Sequence, residues 1–144
     1  MIEIVRFQPE HMSQVDEQQA TVGLSEYLTP EHVQILAQSQ IAYTALSGDR
    51  VVACAGIVDH WPGRGEVWAQ LARDLGRDFL AVHNACKRVL SLGTHPRLEA
   101  VVAEGFEAGH RWIQLLGFSR ETPEPMKNYW PDGGSAVLYS RVVD

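Results

Sequence analysis

"LARDLGRDFLAVHNACKRVL", residues 71–90, decides how the chain is read. It begins as the tail of an apolar run, crosses a short charged turn holding Gly76, and continues as an amphipathic helix. Leu75, Phe79, Val82, Cys86 and Val89 recur at helical spacing, with Arg77, Asn84, Lys87 and Arg88 elsewhere on the surface. The spacing predicts a helix from about Asp74 to Leu92, ended by Gly93 and kept from resuming by Pro96. A strand, a turn and a helix in that order aim backbone N–H groups and the positive end of a helix at one point. That is the usual seat of a pyrophosphate.

Upstream, Ile2–Phe7 alternates apolar and polar residues and predicts a first strand. Pro9 opens a polar helix expected to reach about Ala20. Thr29-Pro30-Glu31-His32 starts a second helix, with Thr29 as cap, Pro30 at the first helical position, and Val33, Leu36 and Ala37 inward. Ile41–Ser47 and Arg50–Val58 are apolar runs joined by Ser47-Gly48-Asp49, a hairpin signal. Trp61–Gly65 reads as a second turn leading to a strand over Glu66–Ala72. Downstream, Leu98–Ala103 lacks alternation, as expected of a central strand covered on both faces. A helix over Phe106–Leu116, a strand over Phe118–Glu121, a Pro- and Gly-rich loop over Thr122–Gly134 and a last strand over Ala136–Val143 complete the chain. The order β-α-α-β-β-β-α-β-α-β-β implies an α/β (α+β) class. Its mixed, twisted central sheet has about seven strands with helices on both faces, in a single domain over 1–144.

The totals narrow the function. Twelve basic against eighteen acidic residues give a formal charge of -6, which argues against bulk binding to nucleic acid or an anionic membrane. No apolar segment approaches the roughly 18 residues of a membrane span. No signal-peptide pattern is read at Met1, and Cys54 and Cys86 have no framework spacing, so a reducing cytoplasm is expected. Cys54, within Val51–Gly56, reads as a small core residue. His83 and Cys86 lie three apart on one helix, but nothing supplies the second half of a tetrahedral site, and no metal is expected. The aromatic loop Tyr129–Gly134 reads equally as a partner contact or as a loop folded back on the sheet.

The element order resembles the acetyltransferase fold of the GNAT superfamily over nearly the whole chain. "GHRWIQLLGF", residues 109–118, resembles that family's late helix running into a Gly-Phe pair. "EVWAQLARDL" (66–75) and "RLEAVVAEGFEAGHRWIQLLGF" (97–118) also resemble a divergent branch in short-tailed bacteriophages, a small virion-core or morphogenesis-associated protein. The resemblance implies that the fourth strand splays from the fifth to admit the pantetheine arm of acetyl-CoA. It also implies that the turn following, Arg/Gln-x-x-Gly-x-Gly/Ala in the family, takes the pyrophosphate. The implied cofactor-binding residues are Leu71, Ala72, Arg73, Gly76, Arg77 and Asp78. Arg73 and Gly76 keep the pattern; Asp78 replaces the last small residue with charge and bulk.

Two further positions depart from it. The family's tyrosine five residues before the Phe of Gly-Phe falls on Ile113, and its earlier asparagine falls on Phe106. Neither side chain has a proton to give. Acetyl transfer to an amine needs a base for the ammonium and an acid for the leaving thiolate. Glu66 is the candidate base, His60 the runner-up, and Tyr139 the candidate acid. The resemblance thus implies an acetyl-CoA-dependent N-acetyltransferase of weak or degenerate activity, phage-encoded, acting on an amine acceptor in the host cytoplasm. The alternative is a non-catalytic protein on the same scaffold, serving the virion or binding a phage or host protein.

Overall fold

The computed structural model describes residues 2–15 and 29–143. Its elements are β1 (Ile2–Arg6), α1 (Pro9–Gln14), α2 (Pro30–Gln38), β2 (Ile41–Ser47), β3 (Arg50–Trp61), β4 (Arg64–Leu71), α3 (Phe79–Leu92), β5 (Arg97–Ala103), α4 (Glu107–Leu115), β6 (Ser119–Arg120) and β7 (Ala136–Val142). The expected α/β order with seven strands holds. The strands form one sheet in the order β1-β2-β3-β4-β5-β7-β6, antiparallel everywhere except between β4 and β5.

Each face of the sheet buries a different cluster. Ala53, Ile57, Val67, Ala69, Leu71, Leu98, Ala100, Val102, Val137 and Tyr139 meet Val82, Cys86 and Leu90 of α3 and Trp112 and Ile113 of α4. On the opposite face Cys54 and Trp68 pack with Phe7, Met12, Val15 and Leu36. Period-2 alternation along β4 thus sends Val67, Ala69 and Leu71 to α3 and α4, and Trp68 to α1 and α2. Cys54 and Cys86 are both buried, and burial pushes each thiol up to about 12.

Local signals set several boundaries. Thr29 caps α2 by accepting from the His32 N–H at 3.3 Å, with Pro30 in the first turn. Three expectations shift. β3 runs on through His60 to Trp61, because only Pro62 and Gly63 are needed for the turn once Trp61 pairs with Arg64. α3 begins at Phe79 rather than near Asp74, because Gly76 takes φ +50 and a single 3-10 turn over Gly76–Asp78 intervenes. In α3, Phe79 and Leu80 are exposed, and the inner face is carried by Val82, Ala85, Cys86 and Leu90. Of the first helix, Pro9–Gln14 is seen; its expected continuation to Ala20 lies outside the described residues.

β2 and β3 lie close at Gly56, where an added methyl would come 2.3 Å from the backbone oxygen of Ile41. A backbone oxygen in a paired strand has no room to retreat. Gly56→Ala is therefore expected to cost about 1–3 kcal/mol in urea unfolding without changing the fold.

Candidate functional site

Arg64, Gly65 and Glu66 of β4 pair with Arg97, Leu98 and Glu99 of β5, and there the pairing stops. β4 stays paired with β3 as far as Leu71, and β5 with β7 as far as Ala103. The facing edges of Val67–Leu71 and Ala100–Ala103 therefore have no strand partner in each other, and the two parallel strands diverge towards their C-terminal ends. Beyond them an opening of about 220 Å³ is bounded by Leu71, Phe79, Phe106, Gly109, Trp112 and Leu115. Its wall is stiffened by Trp112, whose indole N–H donates to His83 Nδ1 at 3.0 Å and whose ring meets Phe79 edge-on. His83, set beside Cys86 in the sequence, is thus engaged with α4. Among the described residues no three His, Cys, Asp or Glu side chains gather as a metal site would need.

The turn between β4 and α3 lies at the open end of this gap. Leu71 and Ala72 are buried, whereas Arg73, Asp74, Gly76 and Arg77 are exposed and Asp78 is half-buried. No side chain caps the 3-10 turn or α3, although Asp78 occupies the cap position of the helix. Within the turn the Asp78 N–H donates to the Leu75 carbonyl at 2.8 Å and the Phe79 N–H to that of Gly76. Arg50 ties the turn to β3 by donating to the Asp74 carbonyl at 3.2 Å.

At the closed end the charged residues fall into two sets. His60 Nε2 lies 2.9 Å from Glu66 Oε1; the base and its runner-up in the sequence are one hydrogen-bonded pair. Their strands put them there, since Glu66 is opposite Val58 and His60 points to the same face. Beside them Glu99 is buried and held on both sides. Arg64 donates to both of its oxygens at 2.8 and 2.9 Å, and Arg97 donates to Oε2 at 2.6 Å while also reaching Glu121 at 2.7 Å. The Arg64 guanidinium, with Arg97 behind it, overcomes burial and holds the Glu99 carboxyl down to about 2.

Tyr139 is buried in the face that carries α4, in the same cluster as Ile113. Its hydroxyl lies 2.8 Å from His110 Nδ1, and His110 Nε2 lies 2.8 Å from the Glu104 carbonyl. A carbonyl only accepts, so His110 is protonated at Nε2 and the Tyr139 hydroxyl donates to Nδ1. Ile113 is buried, and Phe106 folds back over Gly109 of its own helix, where an added Cβ would come 2.4 Å from the ring.

The aromatic loop folds back on the sheet through one of its two rings. Trp130 is buried against Val101 and Ala136, while its neighbour Tyr129 stays partly exposed and stacks edge-on at 4.8 Å. Burial raises the Tyr129 hydroxyl, and the negative charges of Glu66 and Glu99 raise it further. Tyr129 thus lies within electrostatic range of Glu66 and Glu99. Sequence reading missed this placement, because the only local signal was an aromatic pair in a loop.

No family model matches the chain, and no curated protein matches it. Solved structures do. Ard1 from Thermoplasma volcanium superposes with a TM-score of 0.76 at 18% identity, covering 99% of this chain and 98% of its own. The ribosomal-protein-S18-alanine N-acetyltransferase from Escherichia coli gives 0.72 at 17% identity, covering 100% and 95%. An IAA acetyltransferase from Bacillus cereus gives 0.72 at 13% identity, covering 99% and 100%. With the parted β4 and β5 and the uncapped turn between β4 and α3, these superpositions establish that the chain has the GNAT acetyltransferase fold.

Proposed function

We propose that the protein is an N-acetyltransferase that takes its acetyl group from acetyl-CoA and passes it to an amine. The parting of β4 and β5 beyond Glu66 carries this reading. A cofactor arm bearing amides fits there, because the facing strand edges have no partner in each other and the walls beyond them are apolar. Leu71 and Ala72 would flank the arm. The Gly76 and Arg77 backbone, with Arg73 and Arg77 as counter-charges, would take the pyrophosphate. Asp78 narrows that seat and Asp74 opposes its charge, which supports weak binding. Acetyl-CoA, when bound, supplies a thioester already activated for transfer.

The chain's own residues have distinct tasks in this reading. Glu66 and His60 remove the proton from the acceptor ammonium, which must be neutral to act as a nucleophile. A backbone N–H on the parted edge of β4 polarises the thioester carbonyl. Tyr139 supplies the proton for the thiolate, with His110 holding its hydroxyl until then. Because that hydrogen bond has to be broken, turnover is slow.

Calorimetric titration with acetyl-CoA tests the reading. Binding in the micromolar range is expected, weakened about tenfold or more by Arg73→Ala, which removes a phosphate counter-charge. Gly76→Val is expected to abolish it, since a β-branched residue does not hold φ +50. No binding by the folded protein would overturn the proposal.

A second reading rests on Ile113 and Phe106. In this reading both polar positions of the late helix have become apolar because the chain is a non-catalytic, phage-encoded virion-assembly or host-binding protein. Acetyl-CoA binding without turnover on any amine, together with co-purification of phage components, would favour it.

A further inference from the structure

At the end of the sheet away from the cofactor gap lies a cavity of about 640 Å³. It is an open cleft bordered by the end of α2, the β3–β4 turn and the segment after α3, and its size is that of a small-molecule site. Ile35, Ile41, Ile57, Pro62 and Leu92 give it apolar walls. Among the described residues that line it, Asp59 alone is acidic and none is lysine or arginine; Asp59 is 63% exposed. Arg64, next in sequence to Gly63 of the lining, is committed to Glu99, and Arg6 to the carbonyls of Ala37, Ser39 and Gln40. α3 ends against the cavity with no basic residue of its own in the last turn, and Arg141 of β7 reaches the Leu90 carbonyl there at 3.5 Å.

The carboxylate of Asp59 is held by a built support. His95 Nε2 lies 2.5 Å from Asp59 Oδ1, and the His95 ring is 11% exposed. Two glycines make room for that ring. A Cβ on Gly65 would come 3.0 Å from the imidazole, and one on Gly93 would come 2.6 Å from Nδ1. Nδ1 itself is buried with no hydrogen-bond partner among the described residues, and Nε2 carries the contact to Asp59. A buried polar atom without a partner costs about 1–3 kcal/mol, and the glycines give up side chains that would otherwise pack. Because Nδ1 is sealed, the pair does not act as a general base. The accessible element is the second oxygen of Asp59, fixed at the mouth of a cavity whose walls mix apolar side chains with Gln38, Gln40 and Thr94.

We propose that this cavity binds an organic ammonium ion carrying an apolar chain, with the ammonium on Asp59 and the chain along the apolar walls. Asp59 points to the opposite face of β3 from Glu66 and His60, neither of which lines the cavity, and the proposal does not depend on acetyl transfer.

The test is a 1H–15N NMR titration of the whole protein with n-hexylammonium, with hexanol as the uncharged control. Saturable shifts of the Asp59, Thr94 and His95 amides are expected, with hexanol about tenfold weaker or more. Asp59→Asn is expected to weaken hexylammonium by a similar factor. Gly93→Ala is expected to weaken it while leaving the cavity open, because it displaces the imidazole that orients Asp59. A parallel titration with N-acetyl-lysine N-methylamide identifies the source: tighter binding than hexylammonium assigns a protein lysine, weaker binding a free amine. Absence of saturable shifts, shifts confined to the Glu66 face, equal binding by Asp59→Asn, or hexanol matching the amine would each overturn the proposal.

Discussion

Glu99→Gln is expected to lower stability by about 2–4 kcal/mol in urea unfolding, the largest effect of any single substitution considered. Glu99 is buried, with its carboxylate gripped by Arg64 and Arg97, and it stands opposite Glu66 in the short paired segment from which β4 and β5 diverge. An amide at this position accepts from one arginine only weakly and presents N–H groups to the other, which leaves guanidinium charge unpaired. The same grip makes stability depend on pH. Its folded carboxyl is held down to about 2 against an ordinary value of 4.5, so its contribution is complete above about 4.5 and is lost as pH falls through 2. A shift of that size corresponds to about 3 kcal/mol. Solvent screening of arginines that are each about a third exposed reduces this to about 2 kcal/mol. Unfolding measured across that window is expected to show the loss in the wild type and a flatter profile in Glu99→Gln. Equal profiles would show that the carboxylate is not carrying the junction.

Glu66→Gln is expected to lower kcat/KM for acetyl transfer by about 10²–10⁴, the range for loss of a positioned base. A glutamine preserves the shape and still hydrogen-bonds His60, but it takes no proton from an ammonium. The substitution is expected to leave acetyl-CoA binding unchanged, because Glu66 lies on the face of α1 and α2 at the closed end, whereas the turn Arg73–Asp78 is at the open end. Stability is expected to change by no more than about 1 kcal/mol, as His60 and Glu66 are both partly solvated. Parallel rate and calorimetric measurements separate the two roles. Undiminished turnover would remove Glu66 as base; lost acetyl-CoA binding would mean that the gap itself had been damaged.

Much of the scaffold was legible because its signals are local. Alternation marked β1, Thr29 and Pro30 opened α2, Gly48 turned β2 into β3, and Gly93 with Pro96 closed α3. Where the reading slipped, the cause was still nearby. The positive φ of Gly76 delayed α3, and pairing of Trp61 with Arg64 carried β3 past His60. The departures at Ile113 and Phe106 were also visible in the linear pattern, and both side chains now sit in apolar packing.

The site depended on relations that no local window contains. Glu66 and His60 were named separately, but their 2.9 Å contact follows from the register of β3 on β4. The clamp on Glu99 joins residues 35 apart in sequence, and Tyr129 comes within electrostatic range of it while Trp130 packs its loop on Val101 of β5 and Ala136 of β7. Periodicity reports which side of an element is apolar, because that depends on neighbours within a turn or a pleat. Where two parallel strands stop pairing, and which charges meet there, depends on crossovers that bring distant segments together. By itself the sequence determined the elements and their order; the tertiary structure decided that β4 and β5 diverge after Glu66 and that a His60–Glu66 pair and a clamped Glu99 stand at the point of divergence.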